Sequence, residues 1–220
     1  MKISALKSLA IVALAAAPVL ASAQLSGNVS LNSSYKFRGQ DQTDNKLALQ
    51  GGFDYAHSSG LYVGNWNSNV NWLPGNSVES DLYGGYKGEV SGIGYDVGFI
   101  RYIYPGAGMA NTSEIYGGVS LAGFGAKYYR TVSNQYFGGS KASYLSLSYS
   151  TEIMKGLTAS VGLGFTDFKS GTDYTDYSLG LGYDLGDGYS VKGAFVGANK
   201  KAVYGDINKN RLVVSFAKAM

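Results

Sequence analysis

The sequence predicts an all-β fold, an antiparallel up-and-down transmembrane β-barrel of about twelve strands. Three observations carry that expectation. Apolar residues recur with a period of two along the chain, short and long connections alternate, and a secretory leader precedes the first strand. Composition agrees: of 220 residues, 32 are Gly and 19 Tyr, only 3 are Pro, and charged residues make up 15%. Soluble domains usually carry roughly 25% charged residues. An aromatic content of 14% argues against disorder, which goes with few aromatics and many charges.

The leader is read over residues 1–23. Lys2 and Lys7 give a positive start, Ser8 to Leu20 are largely apolar, and Ala21-Ser22-Ala23 supplies small residues for cleavage before Gln24. Thirteen or so apolar residues fall short of the ~20 that span a bilayer as a helix. Residues 24–220 are then the barrel domain. Losing two lysines brings the formal charge of +3 close to neutral, which offers no case for a nucleic-acid partner.

Strand side chains alternate between faces, so each strand can be phased by its apolar set. Leu25, Val29, Leu31, Tyr35 and Phe37 fall on odd positions of the first strand, and Leu47, Leu49, Phe53 and Tyr55 on the second. Past His57–Gly60 the aromatic phase turns even, with Tyr62, Trp66, Val70 and Trp72 opposite Asn65, Asn67, Asn69 and Asn71. Nine further runs follow, the last carrying Leu212, Val214 and Phe216. In the run from Tyr95, the residues Ile100, Tyr102 and Tyr104 oppose Val97 and Phe99, which suggests a bulge.

Short turns are expected at His57–Gly60, Ser91–Gly94, Ala122–Gly125, Glu152–Gly156 and Gly186–Gly188. Longer polar connections are expected near Arg38–Lys46, Leu73–Glu79, Pro105–Thr112, Ser133–Lys141, Asp167–Thr175 and Ala198–Lys209. Ten-residue strands with short turns at one end and long loops at the other fit a bacterial outer-membrane barrel, with both termini at the periplasmic, short-turn end. Tyr55, Tyr62, Tyr86, Tyr95, Tyr149, Tyr183 and Tyr189 flank the short turns and read as a periplasmic aromatic girdle. A soluble sandwich would also alternate; the leader, the strand length and the girdle favour the barrel.

On this phasing the pore-lining candidates are Lys36, Arg38, Gln50, Asp54, Asn65, Asn67, Asn69, Lys87, Glu89, Asp96, Glu114, Lys127, Asp176 and Lys192. Their charges are mixed, so strong ion selectivity is not expected. Gly52, Gly98, Gly118, Gly180 and Gly182 share the inner face and should leave volume. Twelve strands lie between eight, which side chains fill, and sixteen, which leave a wide channel, so a narrow lumen is expected.

Residues Ser34–Trp72 resemble the TorF-type porin family of proteobacteria. The resemblance rests on Tyr35-x-Phe37-Arg38-Gly39, Gln42-Thr43, Gln50-Gly51-Gly52-Phe53-Asp54-Tyr55 and the Gly60–Trp66 run, with Arg211–Ser215 near the end. Asp41 and Leu47 depart from the family's Ser and Pro. Membership implies an outer-membrane barrel with a porin role and no catalytic residues. Barrel proteins of this kind commonly end in an aromatic; here the nearest is Phe216, expected to serve as the assembly signal.

Chemistry has few footholds. There is no Cys, and the single His, His57, falls in a short turn. It cannot build a multi-histidine metal site, and a base needs a positioned nucleophile. Asp167, Asp173 and Asp176 are irregularly spaced for Ca²⁺, and the Gly-x-Gly pairs lie inside strands rather than before a helix. No metal, cofactor or enzymatic activity is expected. Arg38 reads as a contact to lipid phosphate, a pore-mouth residue or a strand-end cation. The expected function is passive diffusion of small polar solutes across the outer membrane. The alternatives are a non-conducting structural or surface-interaction barrel and, third, a lipid-acting enzyme. Partners implied are outer-membrane lipids with lipopolysaccharide, the assembly machinery and the solutes; a homo-oligomer stays open.

Overall fold

A computed structural model describes residues 24–220; the leader expected over residues 1–23 and its cleavage site lie outside them. Fourteen strands follow one another: β1 (Gln24–Asn32), β2 (Lys36–Phe37), β3 (Gln40–Asp41), β4 (Ala48–Ala56), β5 (Leu61–Asn69), β6 (Val78–Val90) and β7 (Ile93–Ile103). Then come β8 (Thr112–Leu121), β9 (Phe124–Thr131), β10 (Ala142–Met154), β11 (Leu157–Phe168), β12 (Tyr174–Gly186), β13 (Tyr189–Ala198) and β14 (Arg211–Ala219). Twelve of them, all but β2 and β3, close into an antiparallel barrel in which each strand pairs with its sequence neighbour and β1 pairs with β14. Asn28 through Asn32 pair with Ala219 through Ser215, and Gly27 and Met220 exchange backbone hydrogen bonds of 3.0 and 2.8 Å.

The tight turns follow from local chemistry. Ser91-Gly92, Ala122-Gly123 and Asp187-Gly188 each place two successive residues at positive φ, the two-residue geometry whose twist matches that of the flanking strands. The short connections all lie at one end, with Gln24, the first described residue, opposite Ala56 and the C-terminal residues of β14 beside them. The six long connections lie at the other end.

The apolar set faces outward. Leu31, Leu49, Phe53, Leu82, Val97, Leu179 and Leu212 are among the many large hydrophobics left exposed, while buried residues include Asn32, Gln50, Asp81, Asp96 and Glu114. That inversion of a soluble core is what a lipid-embedded barrel requires. Six of the girdle tyrosines (Tyr55, Tyr86, Tyr95, Tyr149, Tyr183 and Tyr189) share this outer face near the short turns.

Strand β5 corrects the sequence phase. Its outward residues are Leu61 and Val63, each 57% exposed, and with no register break Asn65, Asn67 and Asn69 lie on that same face. Tyr62, Trp66 and Val70 point inward, so Tyr62 leaves the girdle and the three asparagines leave the inner wall. The asparagines are tolerated outside because they bond to the backbone of β4. Asn65 Oδ1 accepts from Phe53 N–H at 3.2 Å, Asn69 Oδ1 accepts from Leu49 N–H at 2.7 Å, and Asn67 Nδ2 donates to Gly51 O at 3.4 Å. Aromatic rings pack well inside a lumen, so Tyr62 and Trp66 do not mark the lipid face as Leu61 and Val63 do.

Strand β7 has no bulge either. Its pairing with β6 and β8 runs unbroken, and Ile100, Tyr102 and Tyr104 simply face the interior. The register shifts fall instead at Glu152/Met154 and Asp184/Gly186, beside short turns. The facing assignment has a direct optical check, since Trp66 and Trp72 are the chain's two tryptophans. Reconstituted into vesicles of bromine-labelled lipid, the protein should keep nearly all its tryptophan emission; strong quenching would return Trp66 to the lipid face.

Candidate functional site

The first long connection does not stand outside the barrel. The first strand ends at Asn32, five residues earlier than a continuous run to Phe37 would require, and the chain then folds into the lumen as the hairpin β2–β3. Its two-residue turn is Arg38-Gly39, with φ of 46° and 76°. Gly39 is required twice over. A side chain would be strained at that φ, and its Cβ would lie 2.5 Å from Asp176 Cβ and 2.8 Å from Gly197 O.

Arg38 is the centre of the site. Its Nη2 and Nη1 donate to Glu114 Oε2 at 2.6 Å and Oε1 at 3.1 Å, a bidentate fork, and Nη1 also meets Tyr136 Oη at 3.2 Å. The guanidinium lies over the rings of Tyr144, Phe37 and Tyr129 at 4.2, 4.9 and 4.9 Å. Residue exposure is 8% for Arg38 and 0% for Glu114. Burial on its own would lower the pKa of Arg38, yet the facing Glu114 carboxylate holds it above the usual arginine range. The Arg38 seen as lipid contact or strand-end cation is therefore an interior ion-pair partner.

Further contacts pin the hairpin to the loop after β13. Lys36 Nζ donates to Ile207 O and Lys209 O at 2.9 and 2.8 Å, and Gln40 Nε2 donates to Asn208 Oδ1 at 2.9 Å. Burial, with Arg211 and Lys201 nearby and Asp41 opposing, pushes Lys36 down to about 8. Around the hairpin, Val70, Tyr102, Tyr104 and Ala110 form a buried cluster with Tyr35, Phe37, Trp72 and Phe137 packed against it. Tyr35 and Phe37, expected on the lipid face of the first strand, thus belong to this interior plug.

A second polar layer lies about 13 Å deeper, four residues further along β8. There Asp96 and Lys127 both pair in register with Gly118. Their side chains meet at 2.8 Å, Tyr62 Oη donates to Asp96 at 2.6 Å, and Lys127 lies 3.8 Å from the centre of the Tyr116 ring. Tyr83 Oη donates to Asp54 at 2.6 Å. Gly98, one of the inward glycines expected to leave volume, does not, and Gly64 and Gly85 behave as it does. Directly paired across strands, Tyr62 lies on Gly85, Tyr83 on Gly64 and Tyr116 on Gly98, so each ring occupies the space a side chain would take. The opposite wall differs. Ser146, Ser148, Ser160 and Ser178 line it, and Gly182 has open space before it.

Of the candidates named from sequence, Lys36, Arg38, Gln50, Asp54, Lys87, Glu89, Asp96, Glu114, Lys127, Asp176 and Lys192 all lie on the inner side. Gln50 accepts from Asn32 Nδ2 at 2.9 Å, and Lys87 lies 5.4 Å from the Tyr62 ring. Asp167, Asp173 and Asp176 do not converge: Asp173 accepts from Phe168 N–H, while Asp176 faces Tyr144 in the lumen. Among the described residues no group of three potential ligands could hold a metal ion. His57 sits in its turn with Nδ1 2.8 Å from Ser59 Oγ. The plug residues Tyr35, Phe37, Trp72, Tyr136 and Phe137 were missed, though aromatics inside nominally polar connections signal a segment that must bury itself.

Breaking a buried ion pair strands one charge and costs ~3–5 kcal/mol, whereas removing both partners costs less than the two single losses combined. Arg38→Gln and Glu114→Gln should each lower unfolding stability in detergent by about that amount. The double variant should show clear positive coupling in urea titrations.

A barrel of this shape recurs among solved structures at very low identity. The KdgM porin aligns at 10% identity with a TM-score of 0.63 over 88% of this chain and 98% of that one. The NanC porin aligns at 9% identity with a TM-score of 0.61 over 89% and 98%. An outer-membrane channel from Pseudomonas putida F1 aligns at 9% identity with a TM-score of 0.56 over 95% and 100%. At these identities the likeness is one of fold. No curated protein matches the sequence. The profile of one family covers residues 15–219, and the chain belongs to it: the Gcw_chp family, bacterial proteins of unknown function.

Proposed function

We propose that this protein is an outer-membrane channel for small polar solutes, exported with residues 1–23 removed and inserted with its long loops outside. The observation that carries the reading is the closed twelve-stranded wall, apolar outside and polar within, narrowed by its own hairpin Lys36–Asp41. A resemblance to TorF-type porins and the shared fold of solved porins and channels support it.

The inner residues Lys36, Arg38, Gln50, Asp54, Lys87, Glu89, Asp96, Glu114, Lys127, Asp176 and Lys192 are the proposed lining. Both signs of charge occur along its whole length. The loop-side third holds Asp41, Glu79, Asp81, Glu114 and Asp176 with Lys36, Arg38 and Arg211, and the part nearer the short turns holds Asp54, Glu89 and Asp96 with Lys87, Lys127 and Lys192. One KdgM structure is a complex with disordered oligogalacturonate. A lining of paired, mixed charges offers no run of free cations to such a polyanion, so small neutral or weakly charged solutes are the better fit here.

A second reading, a non-conducting barrel, is favoured by one observation, the bidentate Arg38–Glu114 pair closing the loop-side lumen. Planar-bilayer recording separates the two. The channel reading expects small conductance steps from the native protein and larger ones from Gly39→Val, which cannot seat the hairpin tip. Silence from the native protein with steps from Gly39→Val supports the plugged barrel. Silence from both removes the channel.

A further inference from the structure

Two arginines point away from the lumen. Arg101 near the loop-side end of β7 shares the outer face with Val97 and Phe99, and Arg130 near the end of β9 shares it with Phe124 and Tyr128. Both are exposed, and among the described residues neither has a carboxylate within 4.0 Å. Arg101 Nη1 donates to Ser113 Oγ at 2.9 Å, which lays its guanidinium along the wall. Ser113 pairs with Arg101, and Ile115 pairs with Arg130, both from the intervening strand β8. The two Cα positions are therefore offset by two residues along β8 and two strand spacings across it, about 12 Å in all. Two arginine side chains can close on one ligand across that gap.

Cations outnumber acids on this sector. Lys141 and Lys169 continue the belt just beyond the ends of β10 and β11, where Lys169 N–H donates to Lys141 O. Asp167 and Asp173, the latter bonded to Phe168 N–H, are the acids of this part of the outer face, both beyond β9 on the β11–β12 side. Elsewhere around the loop-side rim the outer positions are uncharged, including Tyr177, Leu212, Leu31, Leu49 and Val78.

An unpaired cation at the hydrocarbon boundary is costly and reaches for the interface, and guanidinium forks match phosphate oxygens in geometry. Phe99, Ile115, Tyr128 and Leu145 beneath the arginines are exposed and apolar, so lipid is the neighbour at this depth. We propose that Arg101 and Arg130 hold the phosphate groups of an outer-leaflet glycolipid on the β7–β9 sector. The proposal rests on the outer-membrane placement above but not on conduction.

Native mass spectrometry of refolded protein in detergent, with bisphosphorylated lipid A as the probe, tests it. Native protein should retain lipid A, and R101Q/R130Q should bind it about tenfold or more weakly, as expected for lost charge-assisted hydrogen bonds. Lys155→Gln, at a short turn on the opposite rim, should bind as the native protein does. Phosphate-free lipid A should bind weakly, and inorganic phosphate should not displace bound lipid A at equal concentration. Unchanged retention by R101Q/R130Q, equal binding of the phosphate-free lipid, or displacement by inorganic phosphate would each overturn the site. If the double variant does not refold, Arg130→Gln carries the test, because no hydrogen bond of its side chain is found among the described residues. Gel mobility before boiling shows whether each barrel is closed, and bilayer conductance read on the same samples keeps this outcome separate from that of the channel.

Discussion

In hydrocarbon every backbone amide needs a partner, and a strand can find one only in its neighbours. That constraint forces the wall to meet itself, and the meeting point is the short β1–β14 seam finished by the Gly27–Met220 exchange. Closure then fixes the rest. Alternate residues must face lipid, so the hydrophobic set sits outside, and polar and titratable side chains are left to organise a small interior. The outward asparagines of β5 obey the same rule, since each finds a bond on the backbone of β4 before it meets lipid.

The interior answers a second cost, that of holding charge away from bulk water. Arg38 is accepted there because its fork is filled by Glu114 and its faces are covered by aromatic rings. The deeper layer repeats the solution with Lys127 and Asp96 under Tyr62 and Tyr116. Glycine opposite each tyrosine is part of the device, because a ring can lie flat on a wall only where the facing residue has no side chain. Between them the two layers fill part of the lumen with paired charges and rings.

Strand number, turn positions and the end at which β1 starts and β14 finishes were legible because they rest on local chemistry, a period of two and paired residues at positive φ. Strand β5 was misphased because both of its faces carry signals. Leu61 and Val63 are only two aliphatic residues against Tyr62, Trp66 and Trp72, and the asparagines look polar until their backbone partners are known. The hairpin at Lys36–Asp41 was illegible for a different reason. Periodicity records which face a residue takes, not which way a connection turns, and Glu114 stands 76 residues from the arginine that selects it. Arg101 and Arg130 fell between these cases: their phase was readable, but they draw notice only once their face is known to be apolar.

A ring of hydrogen-bonded strands resists stretching yet ovalises easily, because changing its cross-section bends many joints slightly and breaks none. The hairpin leaves the wall between β1 and β4, touches Asp176 and Gly197 on β12 and β13, and fastens to β8, nearly opposite its origin in the ring of twelve. It therefore works as a spoke. Squeezing the barrel along that diameter would compress a bidentate ion pair, so the loop-side rim is braced while the rim at the short turns stays free to flex.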